Sequence, residues 1–265
     1  MKTDSNCSQT CPPLRRSPRL AALHAKIQSL LESFHQWEAL VERENKAEYS
    51  IQSIPSSIQT QRMNFLEMYY TIIDHYSIDR NVVSTAIFYF DRYTSHLLEQ
   101  KLFVKASMTC IYLATKIHGN KIISASTMAS MSSGYVTEFD ILTMELEILN
   151  NLEWHLHPPI PAMFYNVISP IIDNSPIEIS KLQDLKCLVQ YLIELSAYFP
   201  LENPSSTLYA AMIVAMDKLS IPNAWLESLD LPHTQNTTDI WIKRLNQVHS
   251  LPINKIDSSL WLQIT

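Results

Sequence analysis

Between Leu20 and Val41, apolar side chains recur at alternating steps of three and four: Leu20, Leu23, Ile27, Leu30, Phe34, Trp37 and Val41. Such a stripe is one face of an amphipathic helix, and it predicts a helix over 20–50. Heptads with both core positions filled can also support a coiled coil. Two partners therefore stay open for the stripe, the body of the same chain or a second copy. Phe34 and Trp37 are poor knobs for a two-stranded seam, which favours the body. After a break at Ile54-Pro-Ser-Ser come four apolar helical segments, at Arg62–Tyr70, Val82–Ser95, Ala106–Ile117 and Thr137–Asn151.

Their punctuation fits helices. Gly119-Asn120 closes the third segment with residue types that accept the left-handed conformation after a helix end. Thr137 precedes Glu138 and Asp140, an N-cap followed by acids in the first turn. His157-Pro-Pro-Ile-Pro161 is a stiff connector and the best internal boundary. Beyond it, helices are expected over Leu182–Tyr198, Ser205–Leu219 and Thr238–Val248, with Asn174-Ser-Pro176 as a turn. Cys110-Ile-Tyr-Leu-Ala-Thr-Lys-Ile117 and Met212-Ile-Val-Ala-Met-Asp-Lys-Leu219 align without gaps. That match points to two copies of one helical unit.

Composition narrows the function. The chain of 265 residues is 46% hydrophobic and 17% charged, as a globular protein with a sizeable core should be. It contains only two glycines, Gly119 and Gly134, where average usage gives roughly 19. Helical folds tolerate that shortage, whereas sheets with many tight turns do not. Neither a GxGxxG nor a GxxxxGK phosphate cradle can be written with two glycines, nor can a GxSxG elbow. A net charge of −6 lacks the footprint of a duplex-DNA binder, so no direct nucleic-acid partner is expected. No apolar run approaches the ~18 residues of a membrane span, and Met1–Pro18 has no signal core, so a nuclear or cytoplasmic protein is expected. Residues 1–19 and 251–265 read as tails; Arg15, Arg16 and Arg19 form a short basic cluster, read as a solvated tail or a docking element. Cys110 and Cys187 sit in apolar segments, where a thiol packs as a small hydrophobe. Cys7 and Cys11, like His155 and His157, lack the further ligands a metal site needs. No catalytic constellation, metal or cofactor is expected, and the chain does not read as an enzyme.

Two polar residues lack an easy structural reason: Lys116 at the end of one helix and Glu145 inside another. Their surroundings carry a resemblance. Gln61-Arg-Met-Asn-Phe-Leu-Glu, Tyr89-Phe-Asp-Arg-Tyr-Thr-Ser95, Ala114-Thr-Lys-Ile117 and Met144-Glu145 resemble, in that order, the signatures of the cyclin box. The box covers roughly 61–156, and the downstream half resembles the second, weaker repeat of that family. The resemblance implies an all-α fold of two cyclin-type five-helix repeats, over 54–157 and 158–250, preceded by an extra helix. It implies a regulatory subunit that binds and activates a cyclin-dependent protein kinase in cell-cycle control. The alternatives are a cyclin-fold scaffold such as general transcription factor IIB, which needs a basic surface, and a coiled-coil adaptor built on the Leu20–Val41 stripe.

By the resemblance, Lys116 and Glu145 hydrogen-bond the kinase backbone, among apolar contacts from Ile117, Leu149, Trp154 and Leu156. A plain reading stays open beside it, with Lys116 and Glu145 as a solvated ion pair and Trp154 as a core aromatic. Arg62 and Asp91 match an internal ion pair between the first two helices of the box. Substrate or inhibitor peptides would be a second class of partner. In cyclins that recruit substrates, the corresponding patch is apolar. Here Gln61, Asn64, Phe65 and Met68 occupy it, a degenerate form with two amides where the groove wants methyl groups.

Overall fold

The computed structural model describes residues 18–51, 54, 56–95 and 100–249, with side-chain surroundings from residue 25 onward except at 56, 57, 100 and 249. Of the expected tails at 1–19 and 251–265, residues 1–17 and 251–265, with Cys7 and Cys11, lie outside the described residues, as do Pro55 and the side chains of Arg15, Arg16 and Arg19. The backbone of Pro18 and Arg19 already belongs to the first helix. Within the described residues every regular element is a helix: α1 (Pro18–Glu44), α2 (Ser56–Tyr76), α3 (Asn81–Thr94), α4 (Phe103–His118), α5 (Ala125–Met131), α6 (Glu138–Asn151), α7 (Pro161–Asp173), α8 (Ile179–Ser196), α9 (Pro204–Lys218), α10 (Ala224–Glu227) and α11 (Gln235–His249). None is long and apolar enough to cross a membrane.

Two helices act as hubs. α4 lies against α3, α5 and α6, and α9 against α7, α8 and α11. These hubs are the two segments that align without gaps, so the internal match falls on corresponding helices. α4 is buried from Ala106 to Thr115 without interruption. Small residues at Ala106, Cys110 and Ala114, one turn apart, let its neighbours approach closely. Its two buried threonine hydroxyls turn inward to their own backbone, Thr109 donating to the Lys105 carbonyl at 2.8 Å and Thr115 to that of Tyr112 at 2.8 Å, while the Ser107 hydroxyl donates to that of Tyr69 at 3.0 Å. This satisfies polar groups that would otherwise cost free energy in the core. Cys110 is buried as expected, but Cys187 is exposed on α8. It falls on the solvent side of a helix whose buried positions are Leu185, Val189, Leu192, Ile193, Leu195 and Ser196.

The α1 stripe faces the body. α1 packs on α7, Trp37 is 1% exposed, and its ring meets Phe164 edge-on at 4.9 Å. The Trp37 indole N–H donates to the Pro232 carbonyl at 3.1 Å, and the Glu44 carboxylate accepts from the Ser205 amide at 2.9 Å and from its hydroxyl, capping the N-terminus of α9. Toward the start of the described side chains the stripe is less covered, with Ile27 exposed and Leu30 half-buried.

Arg62 joins the two halves. Its guanidinium donates twice to the Asp91 carboxylate, at 2.7 and 2.9 Å, and to the carbonyls of Tyr198 and Phe199 at 2.9 and 3.1 Å. Both partners are buried, at 2% and 0% side-chain exposure. Burial pushes the Asp91 carboxyl up, and Arg62 opposes it.

Two caps differ in cause. Thr137 forms a capping box with Asp140 at the start of α6, and Lys105 adds an ion pair to Asp140 at 2.6 Å. Gly119 does not take the left-handed conformation expected of it; it is extended, at φ −74° and ψ 148°. Its requirement is space, because a Cβ there would lie 2.5 Å from the Thr115 carbonyl oxygen and 2.8 Å from that of Lys121. Gly119→Ala should therefore destabilise the protein by about 1–3 kcal/mol, the usual range for overpacking. Chemical denaturation would read the effect, and an unchanged midpoint would contradict the steric account.

Candidate functional site

The end of α4 and the middle of α6 meet at the surface. Lys116 Nζ donates to Glu145 Oε1 at 2.8 Å, with side-chain exposures of 46% and 13%. The bond to Glu145 raises the Lys116 pKa. The ammonium also sits 5.6 Å from the centre of the Tyr112 ring. An exposed pair of this kind is worth up to about 1 kcal/mol. Its two charges are placed in advance and weakly held, so either can turn to an incoming partner at small cost.

The four expected apolar neighbours are tied to this pair through backbone. Glu145 and Leu149 share α6, one turn apart. The amide of Trp154 donates to the Leu149 carbonyl at 3.0 Å, beyond the helix end. The Leu156 carbonyl accepts from the Tyr89 hydroxyl at 2.5 Å and from His118 Nε2 at 2.7 Å, next to Ile117 on α4. A carbonyl only accepts, so the His118 proton sits on Nε2. Burial lowers the His118 pKa, the Leu156 carbonyl opposes this, and the nearby His157 adds to it. Lys116, Ile117, Glu145, Leu149, Trp154 and Leu156 thus form one connected set.

Leu149 is buried at 8% exposure, and Ile117 and Leu156 are half-buried. Trp154 is 60% exposed and does not close the core. The backbone explains this. Glu153 and Trp154 have φ of 49° and 59°, two successive left-handed residues without glycine. The left-handed conformation costs about 1–2 kcal/mol for each such residue, and here it turns the indole outward. Trp154→Ala removes a mainly exposed side chain and should change stability by no more than about 0.5 kcal/mol, as at other surface sites. A larger loss in a thermal melt would place the indole in the core after all.

The surface around the pair is more apolar than the sequence motifs suggest. Tyr135, Phe139, Leu142 and Leu146 are 82%, 76%, 48% and 57% exposed, and Ile122, in the α4–α5 connection, is 71% exposed. Phe139, Leu142 and Leu146 recur on α6 at steps of three and four, while Ile141, Met144 and Ile148 face the core and the buried Leu149 lies between the two sides. The signal lies in the residue pattern: α6 has two apolar faces, and the core covers one. Contiguous exposed apolar surface of this kind is characteristic of interaction sites.

The other candidates lie elsewhere. Gln61 is half-buried with its Oε1 unpaired, Asn64 is exposed, and Phe65 and Met68 are half-buried, Phe65 against Phe90 at 5.2 Å. His155 approaches Glu48 at 3.5 Å, and His157 meets the His118 ring at 4.9 Å. Among the described residues no group of three metal-ligating side chains forms.

Residues 32–157 match the family described as the N-terminal domain of cyclins. Among solved structures, a viral cyclin from herpesvirus saimiri superposes with a TM-score of 0.59 at 17% identity, over 86% of this chain and 96% of the other. A chain in the structure of the CAK complex from Chaetomium thermophilum bound to ATP-gamma-S superposes with a TM-score of 0.54 at 14% identity, over 88% of this chain and 76% of that one.

Proposed function

We propose that this chain, which is a cyclin-box protein of all-α fold, is the regulatory subunit of a cyclin-dependent serine/threonine protein kinase. The observation that carries this reading is the exposed apolar face of α6 around the Lys116–Glu145 pair. Apolar patches of that kind mark partner surfaces. An ammonium fits exposed backbone carbonyls, as at a helix C-terminus, and a carboxylate fits amide N–H groups, as at a helix N-terminus. Phe139, Leu142, Leu146 and Trp154 would exclude water from those bonds and strengthen them.

The mechanism is a population shift. A subunit that makes these contacts only with the active orientation of the kinase's regulatory helix favours that state by the difference in contact energy. All phosphoryl-transfer groups then belong to the kinase. The service in cell-cycle control belongs to the same proposal.

Purification of the tagged full chain from its own cells, followed by a protein-kinase assay on the eluate, tests the reading. Kinase activity above that of a mock eluate is expected. An eluate without kinase activity, from a folded and intact chain, would reject it.

A further inference from the structure

In the second half of the chain a cavity opens where α9 ends. Lys218 there aligns with Lys116, so the place corresponds to the end of α4. The cavity measures about 390 Å³, lies between the α7–α8 connection, the start of α8 and the segment joining α9 to α10, and shares no residue with the Lys116–Glu145 set. Its walls are largely apolar, with Pro176 and Ile177 from the first connection and Ile221, Pro222 and Trp225 from the second. The α9 side is held by backbone. Ser220 is left-handed at φ 51°, and the Ser220 and Ile221 amides donate back to the Asp217 and Met216 carbonyls at 3.0 and 2.8 Å. Each connection also carries a buried oxygen without a hydrogen-bond partner, Ser175 Oγ and Asn223 Oδ1, so a small shift to admit a ligand breaks no bond at these atoms.

Lys181 and Trp225 bring the polar chemistry. The Lys181 ammonium donates to the Leu219 and Ser220 carbonyls at 3.1 and 3.4 Å, and no carboxylate pairs with it among the described residues. Two carbonyls set partial charges against a full one, and an ammonium has three donors. The cation is therefore fixed in place and still short of an anion. The indole N–H groups of Trp37 and Trp241 each reach a carbonyl, but that of Trp225 has no acceptor among the described residues. Glu178 also lines the cavity. It is exposed, where water and salt screen its charge, whereas Lys181 is half-buried and screened less.

We propose that this cavity binds an acidic peptide segment of a partner protein, with one large apolar side chain seated against Trp225 and a neighbouring Asp or Glu carboxylate paired with Lys181. The apolar walls supply affinity by taking that side chain out of water, and Trp225 is the residue type that most often anchors such contacts. The ammonium selects the charge through a charge-assisted hydrogen bond. A segment with an amide in place of the carboxylate gains the first and not the second. The site does not depend on kinase binding.

The test is a titration of the full chain, followed by amide and indole NMR shifts, with acetyl-Ala-Glu-Phe-Glu-Ala-amide. Two control peptides replace both glutamates by glutamine, or the phenylalanine by alanine. Saturable shifts at Ile177, Lys181, Ile221 and the Trp225 indole are expected with the first peptide, and binding at least about fivefold weaker with each control. The chain's net charge of −6 works against the glutamate peptide, so its preference reports a local cation. Lys181→Met keeps most of the stem and should make the glutamate and glutamine peptides bind equally. Trp225→Ala should abolish the shifts; because Trp225 packs partly on the core, the peptide comparison on the unaltered chain decides the matter if that variant does not fold. Equal binding of the glutamate and glutamine peptides to the unaltered chain, absence of saturable shifts, or a preference that survives in Lys181→Met would overturn the proposal. So would binding that appears only once residues 251–265 are removed, since the occupant would then be the chain's own segment.

Discussion

Asp91→Ala should lower folding stability by about 3–5 kcal/mol, the cost of leaving one member of a buried ion pair without its partner. Arg62 cannot escape the loss. Its guanidinium is 2% exposed, so water does not take the place of the carboxylate. The carbonyls of Tyr198 and Phe199 would still accept from it, but they supply partial charges against a full one. Because these carbonyls follow α8 while Asp91 sits on α3, the damage should reach both halves. Denaturation followed by near-ultraviolet circular dichroism would measure it. The paired variant Arg62→Met/Asp91→Leu removes both charges and should recover most of the loss. A single-variant loss below about 1 kcal/mol would mean that water reaches the pair and that it behaves as a surface bridge.

Much of this fold is legible in the amino-acid sequence, for identifiable reasons. The α1 stripe, the box helices and the capping residue Thr137 are local patterns, and local patterns are what periodicity and cap chemistry encode. The two hubs can be matched because a fully buried helix tolerates few residue types at each position. The helix over Pro161–Asp173 is not legible in the same way. Pro161, its first residue, reads as the end of the connector, although proline at a first helical position favours the helix, and Pro170 lies inside it. Short α5 and α10 leave no periodic signal. At the candidate site, Lys116 and Glu145 stand out in the sequence and do meet, yet the adjoining Phe139, Leu142 and Leu146 do not. An apolar helix looks the same in sequence whether it faces a core or an absent partner. The outward turn of Trp154 depends on two left-handed residues at Glu153 and Trp154, neither of them a type that announces that conformation. Gly119 does mark a helix end, but for a different reason than its residue type suggests, since close approach of two carbonyls is a tertiary fact.

The second large effect concerns binding. In the free chain Lys116 and Glu145 satisfy each other at 2.8 Å. On binding, each would trade a bond worth up to about 1 kcal/mol for charge-assisted bonds to kinase backbone of about 1.5–3 kcal/mol. Loss of either side chain also strands the backbone group it would have met, so each alanine substitution should weaken the complex by about ten- to a hundredfold. The charge exchange Lys116→Glu/Glu145→Lys separates this account from a pair that is only a surface bridge. It can remake the ion pair, so folding should be unaffected within about 0.5 kcal/mol. It presents a carboxylate to carbonyls and an ammonium to amides, so binding should fail.

The most direct measurement is to free the co-purified kinase of this chain, then restore activity by adding back wild-type protein or the folded charge-exchange variant. Half-maximal activation that moves to at least about hundredfold higher concentration with the variant is the result predicted here. Superimposable activation curves, with both proteins equally folded by circular dichroism, would show that the Lys116–Glu145 pair is not where the kinase is held.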